Sequence, residues 1–555
     1  MSTGYVAKSY KVNFGDASNR LDEVVVKRDQ NGTVHTYEYD NLGRLLHDRI
    51  TTLGTGVDGA VRRITTAYDV VGNVKSVTSY DNATMGSGTV VNQVLYEYDA
   101  NGLLAKDFSN PSGTVVVATA PYIGYTYDVT KSGTNFTKQL RPTSVKYPGG
   151  KTINYAYGTS GSLDDLFSRY SAIKDGTTDV VQYVYNGAAT PVKTTYPQPG
   201  LVLDYTASGA LDNFGRITDH AWKKSTTDIV RIKHAYDRVG NRKYREDTVG
   251  TNFSEVYAYD GVNQLVDMQR GVLNSGKTGV STKKGQESFA FDATGNWGTY
   301  KQDNTGGGFT LTQAKTHNKA NEVLTIAGSS TNVALDRNGN KTKLPKPDNW
   351  SAAFTCTYDA WNRLVLVKDG STTIATYGYN GLNHRVKKIV GSETRLFYFN
   401  QEWQCLEERV GSTVAQTYTW GSRYIDDLVC RDKSSERLYS LADPNWNVVA
   451  LTNASGTVQE RMKYDAFGKV TWMNASFTTL ANSAYSWNRT FTGQVFDSET
   501  GLMLYRNRFY STSLGRFVQR DPIGYEAGDV NLHRYVWNQV LLPRRLNYST
   551  SVAVW

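Results

Sequence analysis

Apolar and polar residues alternate in short runs along most of this chain, and each run stops at a turn. In "TYEYDNLGRLLHD" (residues 36–48), Tyr37 and Tyr39 lie two apart, with Thr36 before them and Glu38 between them. A strand sends successive side chains to opposite faces, so this spacing puts both tyrosines on one face. Asp40 then opens a turn, where its carboxylate can accept a backbone N–H two residues on. Gly43 sits where the chain often needs a positive φ, and Arg44, Leu45 and Leu46 begin the return strand. The unit reads as a β-hairpin with a tyrosine ladder.

The unit recurs. Asp40, Asp69, Asp99 and Asp128 follow one another at 29, 30 and 29 residues; Asp237 and Asp260 are 23 apart; Asp359, Asn380 and Asn400 are 21 and 20 apart. Asn keeps the turn chemistry of Asp. Intervals of this size mark a repeat architecture in which each unit packs on its neighbours. Hairpins do not stand alone, so side by side they make one long antiparallel sheet, which its own twist forces to coil. Two stretches break the rhythm. Residues 158–176 are expected to form a short helix or an irregular loop, and residues 271–288, "GVLNSGKTGVSTKKGQES", read as a long exposed insertion.

Composition supports an all-β chain. Of 555 residues, 38 are Tyr and 50 Gly, against 12 Pro and 6 Met, which favours strands and tight turns. No apolar run is long enough for a membrane-spanning helix, and the start, "MSTGYVAKSYKVNFGD", lacks the apolar centre of a signal peptide. The net charge of +9 is spread without a Lys/Arg block, so no specific nucleic-acid partner is expected. Cys356, Cys405 and Cys430 have neither disulfide-scaffold nor zinc spacing and read as reduced thiols in the core. The seven histidines show no ligand pattern; no metal or cofactor is expected.

The tyrosine–aspartate units resemble the YD repeats of the RHS family over roughly residues 20 to 470. A more specific likeness follows. "YDAFGKV" from Tyr464 precedes "FTGQVFDSETGLMLYRNRFYSTSLGRFVQRDPIGYEAGDVNLHRYVWNQ" (491–539). Its ordered F-T-G-Q, E-T-G-L-x-x-Y-R-x-R, G-R-F, D-P-I-G and N-L-x-x-Y resemble the RHS repeat-associated core. The resemblance implies a long YD-hairpin sheet coiled into a hollow or partial shell, with the core plugging one end. It divides the chain into a YD shell (1–470), a core plug (471–539) and a divergent tail (540–555). It further implies a polymorphic-toxin shell that encloses a C-terminal toxin, which is cut free by an aspartate-dependent self-cleavage just after the core.

Such cleavage needs two carboxyls sharing a site, one protonated and one ionised. The resemblance assigns Asp521 of "RDPIG" to it and implies a second acid nearby in the core; Asp529 is the candidate, and Arg520 is placed to hold one carboxylate ionised. Eight residues separate the two acids, and Gly524 and Gly528 let the chain fold back between them. The same residues also make good turns without catalysis. The chain departs from the family at Ser511, where many members carry Asp, and after Val536, where "VWNQVLLPRRLNYSTSVAVW" shows no second D-P-x-G-L. We therefore expect a partial shell without a toxin domain. Its expected partners are a toxin polypeptide or a missing half-shell protein, together with an immunity protein or a secretion-system component. Export to the bacterial surface or medium would be non-classical. Two other readings stay open: a cell-surface adhesion or carbohydrate-binding module, and a self-cleaving aspartic peptidase.

Overall fold

The computed structural model describes residues 9–12, 24–128, 140–347 and 349–541. Nearly all regular structure is antiparallel β. A 24-stranded meander runs from Ser9–Val12 to Val323–Ile326. A 16-stranded sheet follows from Ala334–Leu335 to Thr479–Leu480 and takes in Val57–Asp58, which pairs in parallel with Tyr358–Asp359. Four short strands between Val495 and Phe517 form a third sheet. The expected short helix is present at Leu163–Leu166, capped by the Ser162 hydroxyl.

Each repeat closes as its residues dictate. The Asp40 carboxylate accepts the N–H groups of Leu42 and Arg44, both at 2.9 Å, and its second oxygen takes the Arg44 guanidinium at 2.7 Å. Gly43 has φ 76°, the left-handed region that glycine enters without strain. The strand register slips by one residue just before the turn, between Glu38 and Tyr39, Ala67 and Tyr68, and Glu97 and Tyr98. This bulge swings the tyrosine before each turn aspartate back over the preceding hairpin. Its hydroxyl donates to a carbonyl there: Tyr39 to Val24 (3.0 Å), Tyr98 to Val74 (2.8 Å), Tyr236 to Ile217 (2.8 Å) and Tyr379 to Leu364 (2.8 Å). The Y-D pair thus makes both the turn and the stitch to the neighbouring hairpin.

One expectation is corrected. Residues 271–288 are no loose insertion but part of the hairpin Leu265–Leu273 and Val280–Phe291, joined by a short turn in which the Asn274 N–H donates to the Gly279 carbonyl. The polar side chains of this hairpin lie on paired strands, and polarity alone did not reveal the ladder. The turn expected after Asp128, and the tail beyond Leu541, lie outside the described residues.

A sheet of so many strands does not stay open and flat. The chain makes a first pass (residues 24–326) and then a second (334–480) laid against it in the same order. His35 Nε2 meets the Ala360 carbonyl (3.1 Å), Gln401 donates to Asp107 (2.7 Å), and Tyr147 donates to the Tyr418 carbonyl (2.6 Å). Further along, Trp222 donates to the Ala442 carbonyl (3.2 Å) and the Ala466 N–H to Glu287 (2.7 Å). The turns of the second pass therefore rest on the strands of the first. Between the layers lies a large core that includes Tyr147, Tyr196, Trp222, Phe289, Tyr418, Leu441 and Phe467, and a second cluster around Tyr358, Tyr377 and Phe509. Cys356, Cys405 and Cys430 are buried free thiols within these sheets.

Candidate functional site

The third sheet carries the core motifs and locks onto both passes. Asp497, fully buried, faces Arg385 (3.1 Å) and Lys388 (3.0 Å) of the second pass. Burial opposes its charge, but the two cations outweigh burial and bring the carboxyl down to about 2. Asp426 of "GSRYIDDLV" accepts from Gln494 (2.8 Å) and Arg506 (2.9 Å). Tyr505, Tyr510, Phe517 and Tyr535 form a buried aromatic cluster, and the Tyr510 hydroxyl donates to the Phe467 carbonyl (2.9 Å). Toward the first pass, Arg516 donates to Asn296 (2.8 Å) and Asn538 to the Gly295 carbonyl (2.8 Å).

Asp521 and Asp529 flank an exposed loop that contains the short 3-10 turn Gly524–Ala527. Gly524 and Gly528 both take the left-handed conformation, with φ 72° and 78°. The Asp521 carboxylate caps the Ile523 N–H (3.0 Å) and pairs with Arg508 (3.0 Å). Burial pulls the Arg508 guanidinium down to about 10, and Asp521 partly offsets this. Asp529 holds Arg534 through two hydrogen bonds (2.8 and 3.0 Å) and caps the Asn531 N–H (2.8 Å). Arg520 pairs with Glu322 of the first pass. The loop thus brings the two acids onto one element, each with its own arginine; no hydrogen bond or ion pair links their carboxylates.

The structure places two other carboxyls in one buried site. Glu287 accepts from the Ala466 N–H and the Tyr300 hydroxyl (both 2.7 Å), and Asp465 accepts from the Phe467 N–H (3.2 Å) and the Lys469 N–H (2.6 Å). Burial first pushes both carboxyls upward; the Glu287 charge adds to the rise at Asp465, and the Glu255 charge adds to that at Glu287. No sequence signal joins residues so far apart; only the stacking of the two passes does.

These features define a class of fold: two stacked passes of stitched antiparallel hairpins with a small third sheet packed against both. No protein-family model matches the chain. It is similar to the tRNA3(Ser)-specific nuclease WapA of Bacillus spizizenii, 27% identical over 245 residues, which are 43% of this chain and 10% of that protein. It is also similar to the double-stranded DNA deaminase toxin A of Burkholderia cenocepacia, 24% identical over 377 residues, 59% of this chain and 25% of the toxin. Among solved structures, the Photorhabdus luminescens Tc holotoxin pore superposes with a TM-score of 0.64 at 15% identity, over 94% of this chain and 28% of that one. The chain therefore matches about a quarter or less of the length of these proteins. These similarities support the likeness to RHS/YD-repeat proteins, and the superposition shows that the chain shares the β fold of the Tc toxin structure. Among the described residues, no helix is long and apolar enough to cross a membrane.

Proposed function

We propose that this chain is one section of an encapsulating wall, which with a further section encloses a toxin-bearing polypeptide. The observation that carries the reading is a row of bare turns. In the second pass, Ala360, Ala466 and Phe467 at the turns are buried against first-pass strands. The equivalent first-pass turns expose Leu42, Val70, Val71, Val239 and Val262, at 63 to 104% of their free surface. A row of apolar turn tips is what another pass would cover. The partners are then a second YD-sheet section and the toxin it shields, with an immunity protein or secretion component acting on the assembled particle after non-classical export. Asp521 and Asp529 remain the residues proposed for self-cleavage. Two bands on a denaturing gel, merged into one by Asp521→Asn, would support that role, and full-length mass alone would oppose it.

Small-angle scattering of the whole chain tests the wall reading. A curved plate has a radius of gyration above the roughly 24 Å of a filled 555-residue globule and a distance distribution skewed to long vectors. A symmetric distribution at the globular radius would contradict it.

A further inference from the structure

One second-pass turn, seated on the first pass through Gln401 and Asp107, still leaves a space beside it. The turn at residues 400–404 leaves Gln401 and Glu402 exposed, and a cavity of about 840 Å³ lies there between the passes. This is the size range of pockets that bury small ligands. Its walls include Tyr125, Tyr127, Tyr155 and Tyr170 from the first pass, and Glu402 and Trp403 from the second. Tyr155 and Tyr170 stack with centroids 4.7 Å apart, and the buried Tyr125 hydroxyl has no hydrogen-bond partner among the described residues.

Two features of this turn need a reason. Trp403 has φ 64°, in the left-handed position that Gly43, Gly72, Asn362 and Asn383 fill in other repeats and that Trp446 and Phe477 share at 65° and 66°. A bulky side chain is strained there, and such strain clusters where a site is built. The strained backbone places the indole at the cavity wall, edge-on to His384 at 4.3 Å. Glu402, next to it, takes one hydrogen bond, from Asn400 at 3.0 Å, and no cation pairs with it among the described residues. Arg506 also lines the cavity, but its guanidinium is paired with Asp426 at 2.9 Å. The Glu402 charge is felt by all four tyrosines, and partial desolvation beside the cavity raises its carboxyl above the usual value.

We propose that this cavity binds an organic ammonium group, with Glu402 as its counter-charge and the tyrosine and Trp403 rings as its cage. Aromatic faces attract a desolvated cation through their quadrupole, and a lone carboxylate beside them supplies the opposite charge. The proposal goes beyond enclosure of a toxin, since it concerns a defined site in the wall. The ammonium can come from a free small molecule or from a lysine of a polypeptide, and the test separates these sources.

The experiment is calorimetric titration of the whole chain with three probes: choline, its uncharged isostere 3,3-dimethylbutan-1-ol, and Nα-acetyl-lysine methylamide. Choline or the lysine probe should saturate one site and bind at least about ten-fold more tightly than the isostere. Tighter choline binding assigns the site to a free cation; tighter lysine binding assigns it to a peptide. Glu402→Gln, at an exposed residue, should weaken the charged probe about ten-fold without moving the thermal midpoint. Trp403→Gly, which removes the strain, should also weaken binding while remaining folded. Equal binding of choline and its isostere, no binding of either charged probe, or wild-type affinity in Glu402→Gln would overturn the proposal.

Discussion

The turns of the first pass and those of the second are built from one hydrogen-bond pattern and differ in what covers them. Asp69 and Asp359 each accept N–H groups two and four residues on, at 2.8 to 3.0 Å. Yet Val70, next to Asp69, is fully exposed, whereas Asp359 and Ala360 are 4% and 2% exposed. Local chemistry therefore makes the hairpin, and the stacking of one pass on another decides whether its tip meets water or core. The same aspartate is a surface residue in one pass and a buried member of an interlayer network in the other.

Breaking the buried side should cost most. Asp497→Ala leaves Arg385 buried without its counter-charge and Lys388 with Glu499 alone, so we expect a loss of about 3–5 kcal/mol in denaturant unfolding. Asp359→Ala strands the buried Arg363, which it holds through its second oxygen, and should cost about 3 kcal/mol. Asp69→Ala, at an exposed turn, should shift the unfolding midpoint far less. Equal effects at the two turns would dissolve the distinction between passes.

A middle-sized effect is expected at Asp465 and depends on pH. Its folded value lies above its unfolded one, because burial and Glu287 disfavour the charge. The folded state thus holds the proton more tightly. This contribution is fully present below the unfolded carboxyl value, about 4, and is lost as pH rises toward the folded one. Asp465→Asn keeps an acceptor for the turn, as Asn380 and Asn400 do. It should raise the thermal midpoint by about 2 °C or more at pH 7 and leave it unchanged near pH 4. A uniform shift across pH would mean that the charge is not the cause.

The smallest effect sharpens the stitch. Tyr379→Phe removes a buried hydroxyl bond to Leu364 (2.8 Å) and should cost about 1 kcal/mol. Tyr68→Phe removes an exposed bond at 3.2 Å and should cost roughly none.

The sequence revealed what is local. Asp–x–x–Gly turns, Asn substitutes and strand alternation are short-range, so the hairpins and the all-β class could be read from residues alone. Turns at Asp292, Asn318 and Asp443 use the same bonds but follow Phe291, His317 and Ala442 rather than tyrosine, so the tyrosine pattern passed over them. The strand pair around Lys283 and Lys284 was hidden because its outward side chains are polar. The motif around Asp521 was legible, but its pairing with Arg508, and that of Asp529 with Arg534, depended on how the loop folds back. The Glu287–Asp465 site and the cavity at Glu402 exist only because two distant stretches stack, and no local pattern carries that.

The central claim is that the second pass lies on the first, in the same order. Zero-length carbodiimide cross-linking with mass spectrometry reads this directly, because it joins amines only to carboxylates in contact. The account predicts a link between Lys151 and Asp432, 2.5 Å apart, and one between Lys463 and Asp247. Links confined to the strands of one pass, such as Lys106 to Glu97 and Lys277 to Glu246, with none between the passes, would contradict it.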